Sequence, residues 1–406
     1  MALATDIETG EIAARRRTLF DAPFFGRGLS APVVSTGVRA DNARTTDGVA
    51  RLVPLVLALP FAALLLVAVR GGVLLDSPNS WFASRVSELN FSAGSATAMG
   101  WLRELYPPFA VLLAVLIPGG SVGLGIAGAL VAGLFLSYIY RVLVAHGWER
   151  RTVLILLAAG ALTPVFLDLV IGNLFGLLGI ITFGLGVLNM FLFVTDRHTD
   201  AGFRAGTWFL ICSLIDPAGI LLVAIAFIAA PFLGVARRHQ SGARTANLAV
   251  IFYPVLSVFV TTVLIQAAFF RDPFALYGSA FTSPNWGVLT SLFDSPRGWA
   301  LVLIAQAGIF VSWAVGRRWT AFLPLLILAV ILLAEVVGIM PSNEVGYTLL
   351  AVVLVIFALW HRLPDQRRLM PAALVFAFLV AALSWASVTA SIPYSPIAML
   401  LHRGVA

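Results

Sequence analysis

The sequence predicts an all-α polytopic membrane protein with about eleven transmembrane helices, and three observations carry that prediction. Of the 406 residues 60% are hydrophobic and only 11% charged, and the mean hydropathy is +0.98, far from the balance of a water-soluble domain. Apolar runs near twenty residues recur along the chain, which is the length that crosses a hydrocarbon core of ~30 Å at 1.5 Å per residue. The basic residues are all arginine, and they punctuate the apolar runs without forming a basic, aromatic-lined groove. That pattern sets membrane topology and argues against a nucleic-acid partner, despite the net charge of +7.

Residues 1–51 read as a cytoplasmic, disordered tail. No apolar stretch follows Arg15, Arg16 and Arg17 within it, so a cleaved signal peptide is not expected. Phe20, Phe24 and Phe25 beside Arg17 and Arg27 offer the alternative of a surface-docking patch, against which the nearby Gly, Pro and Ser favour disorder. Residues 52–391 form the transmembrane domain, with spans expected at 52–69, 121–140, 152–171, 174–195, 247–270, 299–316, 320–340, 346–360 and 370–391. Residues 109–117 cover about 13.5 Å as a helix and end in Pro118-Gly119-Gly120, so they read as an interfacial or re-entrant helix. Residues 205–234 are too long for one span and carry Asp216-Pro217 near the middle, where proline removes a backbone donor, so they read as two short helices.

Arginine placement supports that split. With the N-terminus inside, twenty of the 26 arginines fall on the cytoplasmic side, leaving Arg70, Arg85, Arg103, Arg271, Arg297 and Arg403 outside. A single span over 205–234 would expel Arg237, Arg238, Arg244, Arg317, Arg318, Arg362, Arg367 and Arg368 as well. The outer face then carries two long loops, 70–118 and 271–297, and a C-terminal tail at 392–406, and long loops are where chemistry is expected.

Asp76 lies a few residues beyond the first span, held at the membrane surface, where a carboxylate can take a proton from an incoming hydroxyl. The competing reading is a helix cap, with Asp76 or Ser77 preceding Pro78 at the first turn of an amphipathic helix containing Trp81, Phe82 and Arg85. Arg85 and Glu88, three residues apart, read as a surface ion pair. Asp168, Asp216 and Glu335 fall in or beside apolar spans, where ionisable groups are costly and face a cavity or a partner; they either line a groove or are neutralised structural residues. Cys212 stands alone in an apolar run, which argues against disulfides and thiolate metal clusters. The histidines at 146, 198, 239 and 361 lack acidic or Cys companions at ligand spacing, so no metal site is expected. Gly119, Gly120, Gly123, Gly125 and Gly128 read as small-residue helix packing.

The order of a first span, an acidic residue just beyond it, an amphipathic helix, Tyr106-Pro107-Pro108 leading into a short helix, and then a bundle of spans resembles the GT-C superfamily of membrane glycosyltransferases. The segment from Gly202-Phe203-Arg204 to Asp216-Pro217-Ala218-Gly219, then Tyr253-Pro254 and Arg271-Asp272-Pro273-Phe274, continue the resemblance over residues 50–300 or so. It implies transfer of a sugar from a polyprenyl-phosphate carrier to a lipid or glycan acceptor on the outer face of a bacterial inner membrane, with Asp76 as general base and inversion at the anomeric carbon. The implied partners are membrane lipids, the polyprenyl-phosphate sugar, its acceptor and envelope-assembly proteins, and no cofactor is implied. A single acidic residue opens the loop where some members carry a pair, which departs from a metal-dependent pattern.

Arg103, Arg271, Arg297, Arg403 and His402 are the outward cationic candidates for the phosphate, and Glu104 and Tyr106 join them as the substrate-binding set. Each arginine has the alternative of snorkelling or pairing with Glu104, Asp272 or Asp294. Asp168, Asp216 and Glu335 would line the acceptor groove. Two other functions fit the composition: a lipid or glycan transporter, in which those three acids couple transport, and a non-catalytic scaffold of a cell-envelope or polysaccharide assembly.

Overall fold

The computed structural model describes residues 40–88, 106–145, 148–196, 199–216, 219–233 and 243–274, with scattered positions between 286 and 385. The described residues are helical, without a strand. Helix α1 (Ala40–Arg70) leads through a 3-10 turn at Val73–Asp76 into α2 (Pro78–Glu88); α3 (Pro108–Leu116) and α4 (Gly120–Ala145) follow. Then come α5 (Arg150–Ala161), α6 (Pro164–Gly172), α7 (Leu174–Asp196), α8 (Thr199–Ile215), α9 (Gly219–Leu233) and α10 (Ala243–Phe270).

Among the described residues three helical stretches are long and apolar enough to cross a membrane: Leu52–Arg70, Gly120–Val144 and Leu248–Phe270. On α1 the side chains of Leu52, Leu55, Val56, Leu59, Leu66 and Val67 are each more than half exposed. In water, exposing a large aliphatic side chain forgoes roughly 1.5–3 kcal/mol apiece, so this face is suited to an apolar surrounding such as lipid. Leu174–Met190 and Gly219–Ile228 are shorter apolar helices among the described residues.

The expected span over 152–171 is a bent pair. Arg150–Ala161 and Phe166–Gly172 meet at 64°, and together they amount to a fourth span or a re-entrant loop. The cause is local: Pro164 has no amide to donate, while the Thr163 hydroxyl donates to Gly160 O at 2.7 Å and accepts from Phe166 N at 3.4 Å, ending one helix and starting the next. By contrast, the break at Asp216 and the short helix before Pro118 both stand where the sequence placed them. The expected spans from 299 onward fall almost wholly outside the described residues, as do the N-terminal tail before residue 40 and the C-terminal tail.

Glycines fix how the helices meet. A Cβ on Gly128 would stand 2.0 Å from the carbonyl oxygen of Val170, and one on Gly133 would stand 2.3 Å from that of Pro54, so α4 is pressed backbone to backbone against α6 and α1. Gly119 and Gly120 differ from the packing role expected of them: with φ of 92° and 59° they make the turn into α4.

Helices α7 and α8 form an antiparallel hairpin, in which Gly179 faces Asp216, Gly186 faces Phe209 and Gly202 faces Phe193. Phe209 stacks on Phe252 of α10 at 5.6 Å, and residues that follow each of them, Leu210 and Leu214 on α8 and Val255 and Phe259 on α10, line one groove, so α8 and α10 run side by side in the same direction. The main buried cluster joins α1, α4 and α6 to α7–α10, from Phe61 and Leu65 through Ala132 and Leu169 to Phe183 and Phe209, while Phe82, Ala110, Leu124 and Phe175 form a second cluster that holds α2 and α3.

Candidate functional site

The loop that leaves α1 is built to hold a short, rigid turn. Gly71 N donates to Val67 O and Gly72 N to Val69 O, and Gly72 at φ 64° reverses the chain in a conformation glycine takes without strain. Val73 and Leu74 then bury themselves while Leu75 points outward. The hydroxyls of Ser77 and Ser80 both donate to Leu74 O, and Ser80 N donates to the Ser77 hydroxyl at 3.3 Å. Ser77 therefore caps α2, with Pro78 at the first helical position. Of the two residues the sequence offered as the cap, the duty falls to Ser77, and Asp76 ends the 3-10 turn just before it.

A second polar residue reaches this turn from the far side of the chain. Asn79, in the first turn of α2, is fully buried; its Nδ2 donates to Ile171 O at 3.1 Å and its Oδ1 accepts from Leu174 N at 2.9 Å. Ile171 and Leu174 flank Asn173, which separates α6 from α7 and whose own Oδ1 accepts from Gly176 N. Below the clamp, Phe82 packs edge-on to Phe175 at 4.4 Å, with Ala110 of α3, Leu124 of α4 and Ile215 of α8. Arg85 lies over the ring of Trp81 at 5.2 Å; the side chain of Glu88, its expected partner, is outside the described residues.

Three of the expected elements thus come to one end of the bundle. Tyr106 is buried and joined to Pro107 by a cis peptide bond, and Pro108 opens α3, which packs on α2. Asp216 is 2% exposed at the end of α8, with its carboxylate against Gly179 of α7 and its carbonyl accepting from Gly219 N. Arg271 closes α10 at φ 55°, its amide donating to Ala267 O and its side chain exposed. Because α10 runs parallel to α8, Arg271 lies toward this same end. Asp272 is exposed as well, its carboxylate accepting from Phe274 N in a tight turn.

Asp168 sits half-buried within α6, between the two helix breaks. Arg103, Glu104, Arg297, Glu335, His402 and Arg403 lie outside the described residues. At the opposite end of the bundle are Arg141, Arg150 and Arg151, and Arg204, which pairs with Asp200 at 2.8 Å one turn away.

An apolar groove of about 320 Å³ opens between α8, α9 and α10, lined by Leu210, Leu214, Val223, Phe227, Phe252 and Phe259, with Ser213 its one hydroxyl. Ser213 and Ile220 bring one end of it beside the Asp216 break. Among the described residues no three of His, Cys, Asp and Glu are grouped so as to hold a metal ion.

Sequence reasoning missed Asn79, because both its partners are backbone atoms more than ninety residues on. An Asn one position after the helix-opening Pro78 is its only local trace. Compared with protein-family models, with curated proteins and with solved structures, the chain matches none.

Proposed function

We propose that this chain is a GT-C-like glycosyltransferase of a bacterial inner membrane, moving a sugar from a polyprenyl-phosphate carrier to a lipid or glycan acceptor on the outer face. The observation that carries the reading is the gathering of the Asp76 turn, the Tyr106-Pro107-Pro108 element and the buried Asp216 at one end of a helical bundle. The fuller architecture of the proposal is about eleven spans, with the N-terminus in the cytoplasm and the C-terminus outside. Arg141, Arg150, Arg151 and Arg204 at the opposite end support that orientation, since basic residues are retained on the cytoplasmic side.

In this reading Asp76 takes the proton of the acceptor hydroxyl. The hydroxyl oxygen bonds to the anomeric carbon, the bond from that carbon to the phosphate oxygen breaks, and the carrier phosphate leaves as an anion, with inversion. Of the candidate cations for the phosphate, Arg271 lies among the described residues, joined in the proposal by Arg103, Arg297, His402 and Arg403. The apolar groove between α8 and α10 suits a prenyl or acyl tail and starts beside Asp216, which suits a carrier whose headgroup lies at this end.

The test is transfer by the purified full chain from a panel of labelled polyprenyl-phosphate sugars to a membrane lipid extract. Asp76→Asn is expected to lower turnover by about 100- to 10,000-fold while the protein stays folded. Turnover that survives the substitution in a folded protein moves the base elsewhere.

One feature favours the transporter reading: the helices are interrupted at Thr163-Pro164 and again at the acidic Asp216, and discontinuous helices form many transport sites. Indifference to Asp76→Asn, together with loss of uptake on Asp216→Asn, would decide for it.

A further inference from the structure

Asn79 is the most completely enclosed of the buried polar residues described, at 0% exposure. An amide in that position is costly unless its donor and acceptor are both engaged. Both are engaged by groups that a helix break strands: Ile171 O belongs to the last turn of α6 and Leu174 N to the first turn of α7. Asn173 between them has φ −146° and ψ 77°, so the ladder of one helix does not run into the next. A side chain from α2 supplies the missing link across the junction.

The same residue stands three positions beyond Asp76. The Ser77 hydroxyl caps the helix turn that carries Asn79 and also donates to Leu74 O inside the 3-10 turn, with the Ser80 hydroxyl donating to the same oxygen. The first turn of α2 is therefore held on two sides: the Asn79 side chain bonds it to the α6–α7 junction, and the Ser77 and Ser80 hydroxyls bond it to the turn that ends at Asp76. Phe82, one helical turn after Asn79, locks onto Phe175, one residue after Leu174, so apolar packing holds the same two segments together.

We infer that Asn79 is a positioning residue: it clamps the turn bearing Asp76 to the junction of α6 and α7, so that two core helices, and not the outer loop, set where that carboxylate's backbone stands. The functional half of this inference rests on Asp76 being the base. The chemistry required is specific to a neutral amide, which offers a donor and an acceptor from one planar group. Leu matches the shape and supplies neither, while Asp keeps the acceptor for Leu174 N and offers Ile171 O a donor only in its protonated form.

The experiment is amide hydrogen exchange on the purified full chain, comparing wild type with Asn79→Leu and Asn79→Asp, alongside the transfer assay. In Asn79→Leu, exchange at residues 174–176 and 77–81 is expected to speed up by about 10- to 100-fold, while the α7–α8 hairpin keeps its protection. Asn79→Asp, which retains the acceptor in either protonation state, is expected between the two and serves if the leucine variant does not fold. Turnover is expected to fall by about 100-fold, with the KM for the donor within about twofold of wild type, as a displaced base without a lost binding contact requires. Wild-type exchange in both variants overturns the clamp, whether or not the chain transfers a sugar. A loosened junction with wild-type turnover overturns the positioning role and leaves the enzyme reading standing. A wild-type chain that transfers nothing overturns the enzyme reading and with it the role of Asp76, and the exchange data then decide the clamp by themselves.

Discussion

Replacing Gly128 with alanine puts a methyl carbon 2.0 Å from the carbonyl oxygen of Val170 and 3.1 Å from its carbonyl carbon. Ordinary contact begins near 3.4 Å, so α4 and α6 must part by at least about 1.4 Å at this point. The obstacle is backbone, which has no rotamer to escape into. Overpacking in a tight core costs about 1–3 kcal/mol, and a clash with main chain belongs at or above the upper end. At about 2.1 cal/mol/K of unfolding entropy per residue, a 406-residue chain shifts by roughly 1.2 °C per kcal/mol, so the midpoint of thermal unfolding in detergent should fall by at least about 3.5 °C. Gly160→Ala is the matched control, since a Cβ there meets nothing within 4 Å and alanine favours the helix by about 0.5–1 kcal/mol. Its midpoint should hold or rise. A Gly128→Ala protein that melts within a degree or so of wild type at the same scan rate would refute the close approach of α4 to α6.

Phe82→Ala should lower stability by about 3–5 kcal/mol, because the ring is 2% exposed and packs on Phe175; equal melting midpoints would mean that α2 does not dock as described. Cys212 is fully buried between α7 and α8, its Sγ 3.5 Å from Gly179 O, so a maleimide should leave it unlabelled in mild detergent and label it after denaturation in SDS. Rapid labelling of the native protein would count against the α7–α8 hairpin.

Where the sequence could be read, the cause was a short-range signal. Asp216-Pro217 announced its break because proline and a charge interrupt an apolar run together. The short helix after Tyr106-Pro107-Pro108 was bounded by prolines on both sides. Thr163-Pro164 carried the same punctuation, yet 152–171 counts as one span if only apolar length is weighed, since neither residue is charged. Asn79 was beyond reach for a different reason: its function depends on which distant carbonyl and amide the fold leaves stranded. For Asp76 the local alternatives were legible but not their resolution, since Ser77 and Asp76 are both good caps and only the geometry of Leu74 and Ser80 selects the serine. The resemblance to glycosyltransferases rests on the order of features along the chain, and the bundle brings several of those features to one end.

The long reach of Asn79 has a bearing on how the protein is made. Its partners lie 92 and 95 residues further along the chain, so at the ribosome the first helix and its turn emerge well before the backbone that will hold them. The α7–α8 hairpin, whose facing residues Phe193 and Gly202 are close in sequence, has its partners at hand almost as soon as they are synthesised. The turn at Asp76 is therefore among the first parts of this end to be translated and can be fixed only after the junction at Asn173 has been inserted. A nascent chain that stalled before that junction would display the carboxylate without its anchor.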